Sequence, residues 1–156
     1  MMSELSDILK VEAVESGLTV ANKKGLFQQL ASGASRLTGV PAKQIVTALN
    51  EREKIGSTGF GGGTAIPHGK MEGLDGVFGY FARLAAPVDF QAVDGMPVDL
   101  VFLLLSPPDA GVDHLKALAS ISRTCRDRQT LAKLRGARSK DALFALLAGE
   151  ETRDAA

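Results

Sequence analysis

The sequence predicts an α/β fold: a single three-layer domain in which a mixed β-sheet is covered by helices on both faces. Residues 98–105 read Val-Asp-Leu-Val-Phe-Leu-Leu-Leu, a near-continuous apolar run typical of a strand buried on both faces. Such a strand needs helices on each side of the sheet, and helical patterns occur both before residue 56 and after residue 111. At 156 residues and 45% apolar content, the chain is long enough for one well-buried core and short for two domains.

The N-terminal part of the chain predicts a short helical turn, a strand and a long helix. The turn is expected in residues 3–9 and the strand in residues 15–20. Asn22 can cap the helix, because its side chain can accept a hydrogen bond from a free backbone N–H, and Gly39 ends it. The apolar residues of this helix recur at helical spacing and are Leu26, Phe27, Leu30, Ala31, Ala34 and Leu37.

Pro41 predicts the start of a second helix, because its fixed backbone angle suits a first helical turn. The apolar face of this helix consists of Ile45, Val46 and Leu49. The helix runs into Arg52 and thereby brings an arginine to the start of a glycine-rich loop. A solvated arginine that simply interacts well with the helix dipole is the alternative interpretation.

Residues 51–70 are the stretch around which the chain is organised. They read Glu-Arg-Glu-Lys-Ile-Gly-Ser-Thr-Gly-Phe-Gly-Gly-Gly-Thr-Ala-Ile-Pro-His-Gly-Lys and contain five closely spaced glycines before the histidine. The pattern predicts a loop, a short strand at residues 65–66 and a turn at Pro67-His68-Gly69. Because Pro67 cannot continue a strand ladder and Gly69 allows a sharp bend, His68 is expected at the mouth of a strand rather than inside a packed face.

His68 in this setting predicts a nucleophile that accepts an anionic group. A neutral imidazole can form a covalent adduct near neutral pH, and glycines leave backbone N–H groups open to an anion such as a phosphoryl group. Such a site must also stabilise charge on the equatorial oxygens of that group. The candidate supporting residues are Arg52 and Lys70 as cations, Ser57 and Thr58 as hydroxyl donors, and Gly61, Gly62, Gly63 and Gly69 around the loop. From these residues alone, an ordinary turn histidine beside a flexible connection remains the alternative.

The second half of the chain predicts two strands and a helix. Residues 76–84 are rich in strand formers, and Pro87 is expected to end that strand. Asp94 and Gly95 predict a turn into the apolar strand described above. Asp109 or Asp113 is expected to cap the next helix. The inner side of this helix is expected to consist of Leu115, Leu118, Ala119, Ile121, Ser122 and Cys125.

His114 falls in the first turn of that helix, where free N–H groups and the positive end of the dipole favour an anion. An exposed residue at a helix start is the alternative interpretation. Residues 129–135 and 139–147 predict two further helices, the second capped by Ser139. We expect one domain over residues 1–156, with its core in residues 5–148 and a frayed tail in residues 149–156.

Composition excludes several classes of function. The 18 basic and 18 acidic residues balance, so a nucleic-acid partner is not favoured by bulk charge. A single cysteine, Cys125, allows no internal disulfide and no structural zinc site, and is expected to be a small buried side chain. Two histidines at this separation form no known metal-ligand spacing, and no hydrolase elbow motif occurs. Without a run of about 20 apolar residues, no membrane insertion is expected and a cytoplasmic location follows.

Glu53, six intervening residues and Phe-Gly-Gly-Gly-Thr-Ala-Ile-Pro-His-Gly at residues 60–69 resemble the phosphorylation-site signature of the type-2 IIA proteins of the phosphoenolpyruvate-dependent phosphotransferase system, the mannitol/fructose superfamily. The flanking residues are most similar to the nitrogen-regulatory branch. The resemblance extends over about residues 5–148. Thr64 stands where that family usually has an aliphatic residue, and Gly62 replaces a residue that is often Asn and could have contacted the phosphate.

The resemblance implies that His68 accepts a phosphoryl group through Nε2, that His114 is a second active-site histidine, and that Arg52 stabilises the phosphate. It implies no metal and no other cofactor. The donor would be a small HPr-like histidine phosphocarrier of the nitrogen branch, and the targets would be regulatory partners such as potassium-transport or sensor-kinase proteins. The alternatives are a stand-alone fructose- or mannitol-specific IIA component that serves a IIB protein, and a non-catalytic interaction module on the same fold.

Overall fold

The computed structural model describes residues 5–155, with side chains described for residues 5–148. In these ranges the helices are α1 (Leu5–Ile8), α2 (Lys23–Thr38), α3 (Ala42–Ile55), α4 (Val112–Arg126), α5 (Arg128–Gly136) and α6 (Lys140–Ala155). The strands are β1 (Val14–Leu18), β2 (Gly59–Gly61), β3 (Thr64–Ala65), β4 (His68–Lys70), β5 (Phe78–Val88) and β6 (Val98–Ser106). A 3₁₀ turn, Val11–Ala13, leads into β1.

The strands form one mixed sheet in the order β1-β5-β6-β3-β2, and β4 also pairs with β6. Strand β6 is antiparallel to β5 on one side and parallel to β3 and then to β4 on the other. Eight of its nine residues are buried, which places β6 at the centre of the core and confirms that it is covered on both faces. Parallel partners on only one side make the sheet mixed, as predicted.

Helices cover both faces of this sheet. Helices α2 and α3 pack against each other on one face, while α1, α4, α5 and α6 form a connected group on the other. The predicted three-layer α/β domain is therefore confirmed. Among the described residues, no helix combines the length and the apolar composition that crossing a membrane would require.

Local end signals explain the limits of α2. The Asn22 side chain accepts a hydrogen bond from the backbone N–H of Gly25 at 2.8 Å, which caps the first turn. Gly39 adopts a left-handed conformation with φ of +82°, where a side chain would be strained, and ends the helix. Both predictions are confirmed. Of the predicted apolar residues, Leu37, in the last turn, is exposed and the others are buried.

Strand β5 continues through Pro87, which was expected to end it. The pairing register with β6 shifts between Arg83 and Val88, so the residues between them form no regular ladder. A bulge of this kind tolerates Pro87 because no ladder hydrogen bond is lost there. The prediction of an early strand end was wrong for this reason.

Helix α4 buries only part of the predicted face: Ile121 and Cys125 lie inside as expected, whereas Leu115 and Ala119 are exposed. Its buried residues are His114, Ala117, Ser120, Ile121 and Cys125. Leu115 is 64% exposed, because about 100° of rotation per residue separates it from His114. The N-cap residue is Gly111, so neither Asp109 nor Asp113 caps the helix as predicted. The inward residue of the first turn is thus a histidine.

The C-terminal helices follow the predicted pattern. The hydroxyl of Ser139 accepts a hydrogen bond from the backbone N–H of Ala142 at 3.1 Å and caps α6. Cys125 is buried as expected, and burial raises the pKa of its thiol to about 12. Helix α6 extends to Ala155. The frayed tail expected in residues 149–156 falls beyond the side chains that the structure describes and stays a prediction.

Candidate functional site

His68 is the first residue of β4, not the middle of a turn as predicted. It pairs in parallel with Leu104 of β6, and the backbone N–H of Leu104 also donates to the carbonyl of Pro67 at 3.0 Å. Strands β3 and β4 thus follow the same edge of β6, and Pro67 lies in the short step between them. Pro67 interrupts the strand as predicted, but the chain rejoins the sheet immediately. His68 is therefore half-buried at the start of a strand.

The tautomer of His68 follows from its neighbours. Its Nδ1 lies 2.7 Å from the carbonyl oxygen of Ile66. A carbonyl can only accept a hydrogen bond, so Nδ1 carries the proton and Nε2 carries the lone pair. Arg52 donates from Nε to this Nε2 at 3.2 Å. The nucleophilic nitrogen of the ring is therefore the one that faces the guanidinium group.

Arg52 reaches His68 from the last turn of α3. Its Nη1 donates to the carbonyl oxygen of Gly56 at 2.9 Å, so the guanidinium group is held between the end of the helix and the imidazole. A planar guanidinium has several N–H donors in a fixed fork and matches the oxygens of a phosphate. The structure brings Arg52 and His68 together, in agreement with the pairing expected from the sequence.

His114 brings a second imidazole to the same place. The ring centroids of His68 and His114 are 5.8 Å apart, with 51° between the ring planes. His114 lies in the first turn of α4 and is buried, contrary to the exposed alternative. Its Nδ1 lies 2.6 Å from Oγ of Ser106, the last residue of β6.

Sequence reasoning missed Ser106. The available signal was a hydroxyl residue that closes an apolar strand directly before two prolines. Nothing local relates it to a histidine eight positions later. The contact forms because β6 ends where α4 begins its first turn.

Burial lowers the pKa of both imidazoles. For His68, loss of solvent is the largest cause and the charge of Arg52 adds to it, while the Ile66 carbonyl and Glu53 oppose it. For His114, burial again dominates, followed by the repulsion that a protonated His68 and then Lys70 would exert on a protonated His114 ring. Both rings are therefore neutral near pH 7, which is the state a nucleophile or a neutral hydrogen-bond donor needs.

We expect both rings to titrate below their ordinary pKa of 6.5. Because the unfolded chain then binds protons at higher pH than the folded one, stability should fall as pH drops through 6.5 and level off below the folded pKa values. Histidine NMR signals followed from about pH 8 to about pH 4.5 measure the midpoints. A His68→Ala variant assigns the remaining signal to His114, and a midpoint above 6.5 for either ring contradicts the expectation.

Ser57 and Thr58 lie in the loop after α3, where their hydroxyls hold the loop together. The carboxylate of Glu53 accepts from the backbone N–H of Thr58 at 2.9 Å and from its hydroxyl at 2.7 Å. Lys23 pairs with the same carboxylate at 2.7 Å. Ser57 donates to the carbonyl of Phe90 at 3.4 Å. These hydroxyls are engaged within the loop, so the structure does not present them to His68 as the sequence had suggested.

Burial works against the charge of Glu53, but hydrogen bonds from Lys23 and Thr58 outweigh it and lower the pKa of the carboxyl group. Glu53 therefore stays ionised at neutral pH. Its role in this structure is to tie the end of α3 to the loop that follows, and that loop supplies the Gly56 carbonyl that orients Arg52.

The glycine triplet forms a β-hairpin turn between β2 and β3 rather than an open loop. Its φ angles are all positive: +113°, +65° and +85° for Gly61, Gly62 and Gly63. Gly63 accepts from the backbone N–H of Leu100, whereas His68 pairs with Leu104. Four residues of strand separate these points, which is about 13 Å. The structure therefore does not bring the triplet beside His68.

Gly62 and Gly63 contact other groups at that distant end of β6. The backbone N–H of Gly62 donates to the Asp94 carboxylate at 3.0 Å, and its carbonyl accepts from Nη2 of Arg135 at 2.7 Å. Arg135 also forms an ion pair with Asp99 at 2.9 Å. An asparagine in place of Gly62 would thus not contact a phosphate on His68, contrary to the expectation. Thr64 is buried, and its hydroxyl donates to the carbonyl of Gly61 at 2.8 Å.

Gly69 allows α3 to approach β4 closely. A Cβ atom at Gly69 would lie 3.2 Å from the Cβ of Ala48 on α3. Ala48 is one helical turn before Arg52, so this close contact sets how near the guanidinium comes to His68. Gly69 supports the site through packing.

Gly69→Val should therefore slow phosphorylation and destabilise the fold by about 1–3 kcal/mol, because the added methyl groups push α3 away from β4. Urea unfolding measures the stability, and the rate of phosphoryl acceptance measures the site. Gly76→Val is the matched control, since a Cβ at Gly76 meets no atom within 4 Å and its backbone is not left-handed. Equal effects of both variants would contradict the packing argument.

Among the described side chains, no group of three or more His, Cys, Asp or Glu residues lies close enough together to hold a metal ion. The site thus consists of two neutral imidazoles, one guanidinium and one buried hydroxyl. It can present a nucleophilic nitrogen and several donors to an anionic group.

Known proteins resemble this chain over nearly its whole length. Residues 7–149 match the family described as "Phosphoenolpyruvate-dependent sugar phosphotransferase system, EIIA 2". A nitrogen regulatory protein of Bradyrhizobium diazoefficiens is 49% identical over 144 residues, which are 92% of this chain and 94% of that protein. The crystal structure of nitrogen regulatory protein IIA-Ntr from Neisseria meningitidis has a TM-score of 0.86 and 34% identity, over 92% of this chain and 98% of that one.

The fold alone is also shared with IIA mannitol from Escherichia coli, with a TM-score of 0.75 and 22% identity over 90% of this chain and 99% of that one. The resemblance read from residues 53–69 is thereby confirmed over almost the whole sequence. This chain belongs to the type-2 EIIA family of the phosphoenolpyruvate-dependent sugar phosphotransferase system.

Proposed function

We propose that this protein is a phosphoryl carrier of the nitrogen-regulatory branch of the phosphotransferase system. It accepts a phosphoryl group on His68 and signals through its phosphorylation state. The observation that carries the proposal is the lone pair of His68 Nε2, aimed at the guanidinium of Arg52 at 3.2 Å. The 49% identity to a nitrogen regulatory protein supports the regulatory branch.

The transfer uses groups already present in the site. The Nε2 lone pair attacks the phosphorus of a donor phosphohistidine and forms an N–P bond, while the donor's N–P bond breaks and its electron pair returns to the donor ring. The proton on His68 Nδ1 stays on the ring and keeps its hydrogen bond to the Ile66 carbonyl, which stabilises the positive charge that develops on the ring. No proton needs to leave the nucleophile during attack.

The phosphoryl group bonds to Nε2, the atom to which Arg52 now donates, and so displaces the guanidinium from that lone pair. The guanidinium therefore transfers its hydrogen bond from the ring nitrogen to a phosphoryl oxygen, where charge is greater. His114, whose ring centre is 5.8 Å away, contacts the same group from α4. These side chains meet the charge without a metal ion.

The donor we propose is a small HPr-like phosphocarrier of the nitrogen branch. Exposed apolar side chains flank the site and suit docking of such a protein: Ile55 at the end of α3 is 82% exposed, and Val112 at the start of α4 is 62% exposed. Potassium-transport or sensor-kinase proteins are the regulatory targets that the family resemblance suggests. In this sense the protein is a phosphotransferase with a regulatory rather than high-turnover role, and the same site can return the phosphoryl group.

Reconstitution tests the proposal. Incubation with phosphoenolpyruvate, the first enzyme of the chain and the phosphocarrier should place an acid-labile phosphate on one histidine. Absence of label on a folded protein would refute it. Efficient transfer onward to a fructose- or mannitol-specific IIB protein would instead support the sugar-specific alternative and count against the regulatory branch.

His114→Ala should still accept phosphate but retain or transfer it at a different rate, because His114 is not the nucleophile. Lifetimes of the phosphorylated variant and the wild type, compared by acid-labile label, measure this. Complete loss of labelling in a folded variant would give His114 another role.

A further inference from the structure

Ser106 holds His114 by a short contact in a fixed environment. The side chain of Ser106 is fully buried, and its Oγ lies 2.6 Å from Nδ1 of His114. Its backbone is fixed against β4, since Ser106 pairs with Lys70 and its carbonyl accepts from the N–H of Met71 at 2.9 Å. The hydroxyl therefore has little freedom except rotation about its own bond.

The protons available on Ser106 and His114 decide which of the two groups donates this hydrogen bond. Within residues 5–148, His114 Nδ1 is the hydrogen-bond partner that the structure gives the Ser106 hydroxyl. If Nδ1 carried a proton and donated it, the hydroxyl proton would be left buried without an acceptor. Unmade buried hydrogen bonds are unfavourable, so the hydroxyl donates and Nδ1 accepts. The proton of neutral His114 then resides on Nε2.

The two histidines consequently hold opposite tautomers. His68 carries its proton on Nδ1 because it faces the Ile66 carbonyl, so its Nε2 is a lone pair. His114 carries its proton on Nε2, so its only lone pair is occupied by a buried hydroxyl. One ring can attack phosphorus and the other can only donate.

We propose that Ser106 is a positioning residue that fixes His114 as the Nε2–H tautomer and thereby makes it a donor to the phosphoryl group while excluding it as a second acceptor. The role of His114 as a donor to the phosphoryl group rests on the proposed phosphoryl transfer. The assignment of its tautomer does not, because it follows from the contact with Ser106. Burial lowers the pKa of His114, so the ring is neutral at pH 7 and its tautomer is defined.

Nitrogen NMR of the histidine rings tests the tautomer directly. In long-range ¹H–¹⁵N spectra of the unphosphorylated wild type at neutral pH, His114 should show a protonated Nε2 and a bare Nδ1, and His68 the reverse. Ser106→Ala should move His114 toward a mixture of tautomers, whereas Ser106→Thr should keep the wild-type pattern. Ser120→Ala is the matched control, because it removes another buried hydroxyl of the same region, from α4.

A protonated Nδ1 on His114 in the wild type overturns the proposal without any variant. An unchanged tautomer in Ser106→Ala overturns it as well. Both outcomes are independent of phosphorylation, so they are distinguishable from failure of the proposed function, which would appear as an unlabelled wild type with the tautomers as stated.

The functional test is made in the His68→Ala variant, which lacks the proposed nucleophile. His68→Ala should take no label, but His68→Ala combined with Ser106→Ala should gain slow labelling of His114, because part of the population then carries its proton on Nδ1 and a lone pair on Nε2. Ser106→Ala alone should slow acceptance by His68 by about three- to tenfold, the size of one weakened hydrogen bond. The role assigned to Ser106 would be refuted if Ser106→Ala accepted the phosphoryl group at the wild-type rate and the His68→Ala, Ser106→Ala double variant gained no label.

Discussion

His68→Ala is expected to abolish phosphorylation of this protein by the reconstituted phosphoenolpyruvate-dependent chain. The variant loses the one nitrogen whose lone pair is directed at a guanidinium, at 3.2 Å from Arg52 Nε. The remaining histidine, His114, has its Nδ1 occupied by Ser106 at 2.6 Å. Acid-labile label, or a phosphohistidine signal in ³¹P NMR, should fall to background.

The fold should survive this substitution, because β4 pairs with β6 through backbone groups and not through the imidazole. Circular dichroism and urea unfolding provide the check. His114→Ala serves as the matched histidine control and should still be labelled. Label retained by folded His68→Ala would mean that the wrong nucleophile had been identified.

Arg52→Ala is expected to reduce the rate of phosphoryl acceptance by about 10²–10³-fold, the usual effect of removing one preorganised donor from a site of developing charge. The guanidinium is held by the Gly56 carbonyl at 2.9 Å, so it needs little rearrangement to reach a phosphoryl oxygen. Single-turnover transfer from the phosphorylated carrier measures the rate. Arg52→Lys should recover only part of it, because lysine keeps the charge but not the planar fork.

Lys54→Ala is the control for Arg52. Lys54 lies two residues further along α3, and the substitution removes a solvent-exposed positive charge that pairs with Glu51 at 3.4 Å. Its effect on the rate should be small, since exposed pairs contribute little. If Arg52→Ala and Lys54→Ala were equally active, general charge rather than the contact with His68 would explain the role of Arg52.

The parts of the fold that were predictable from the sequence are those set by local chemistry. Asn22 and Gly39 bound α2 because a side-chain acceptor and a left-handed glycine each act within one helical turn. The central strand β6 was identifiable because burial on both faces leaves an uninterrupted apolar run. The helix end brought Arg52 to the start of the loop that leads to His68, and the family resemblance favoured their contact over a solvated arginine.

The parts that were not predictable depend on partners distant in the sequence. Residues 59–65 form a hairpin because β3 finds its pairing partner in β6, some 36 residues later. His68 joins the sheet for the same reason. The rotation of α4 places His114 inward although Leu115 is more apolar, because His114 lies on the same face as the buried Ala117 and Ile121. There it meets the hydroxyl at the end of β6. Helical periodicity carries no signal for such a contact.

The hydrogen bond between His68 and the carbonyl of Ile66 joins residues only two positions apart. The imidazole therefore reaches its orientation when the backbone folds. This orientation needs no partner protein and does not depend on the position of Arg52. Ordering a freely rotating ring would otherwise reduce the affinity of the encounter. A nucleophile oriented in this way can both accept and release a phosphoryl group, because the same ring orientation suits both steps.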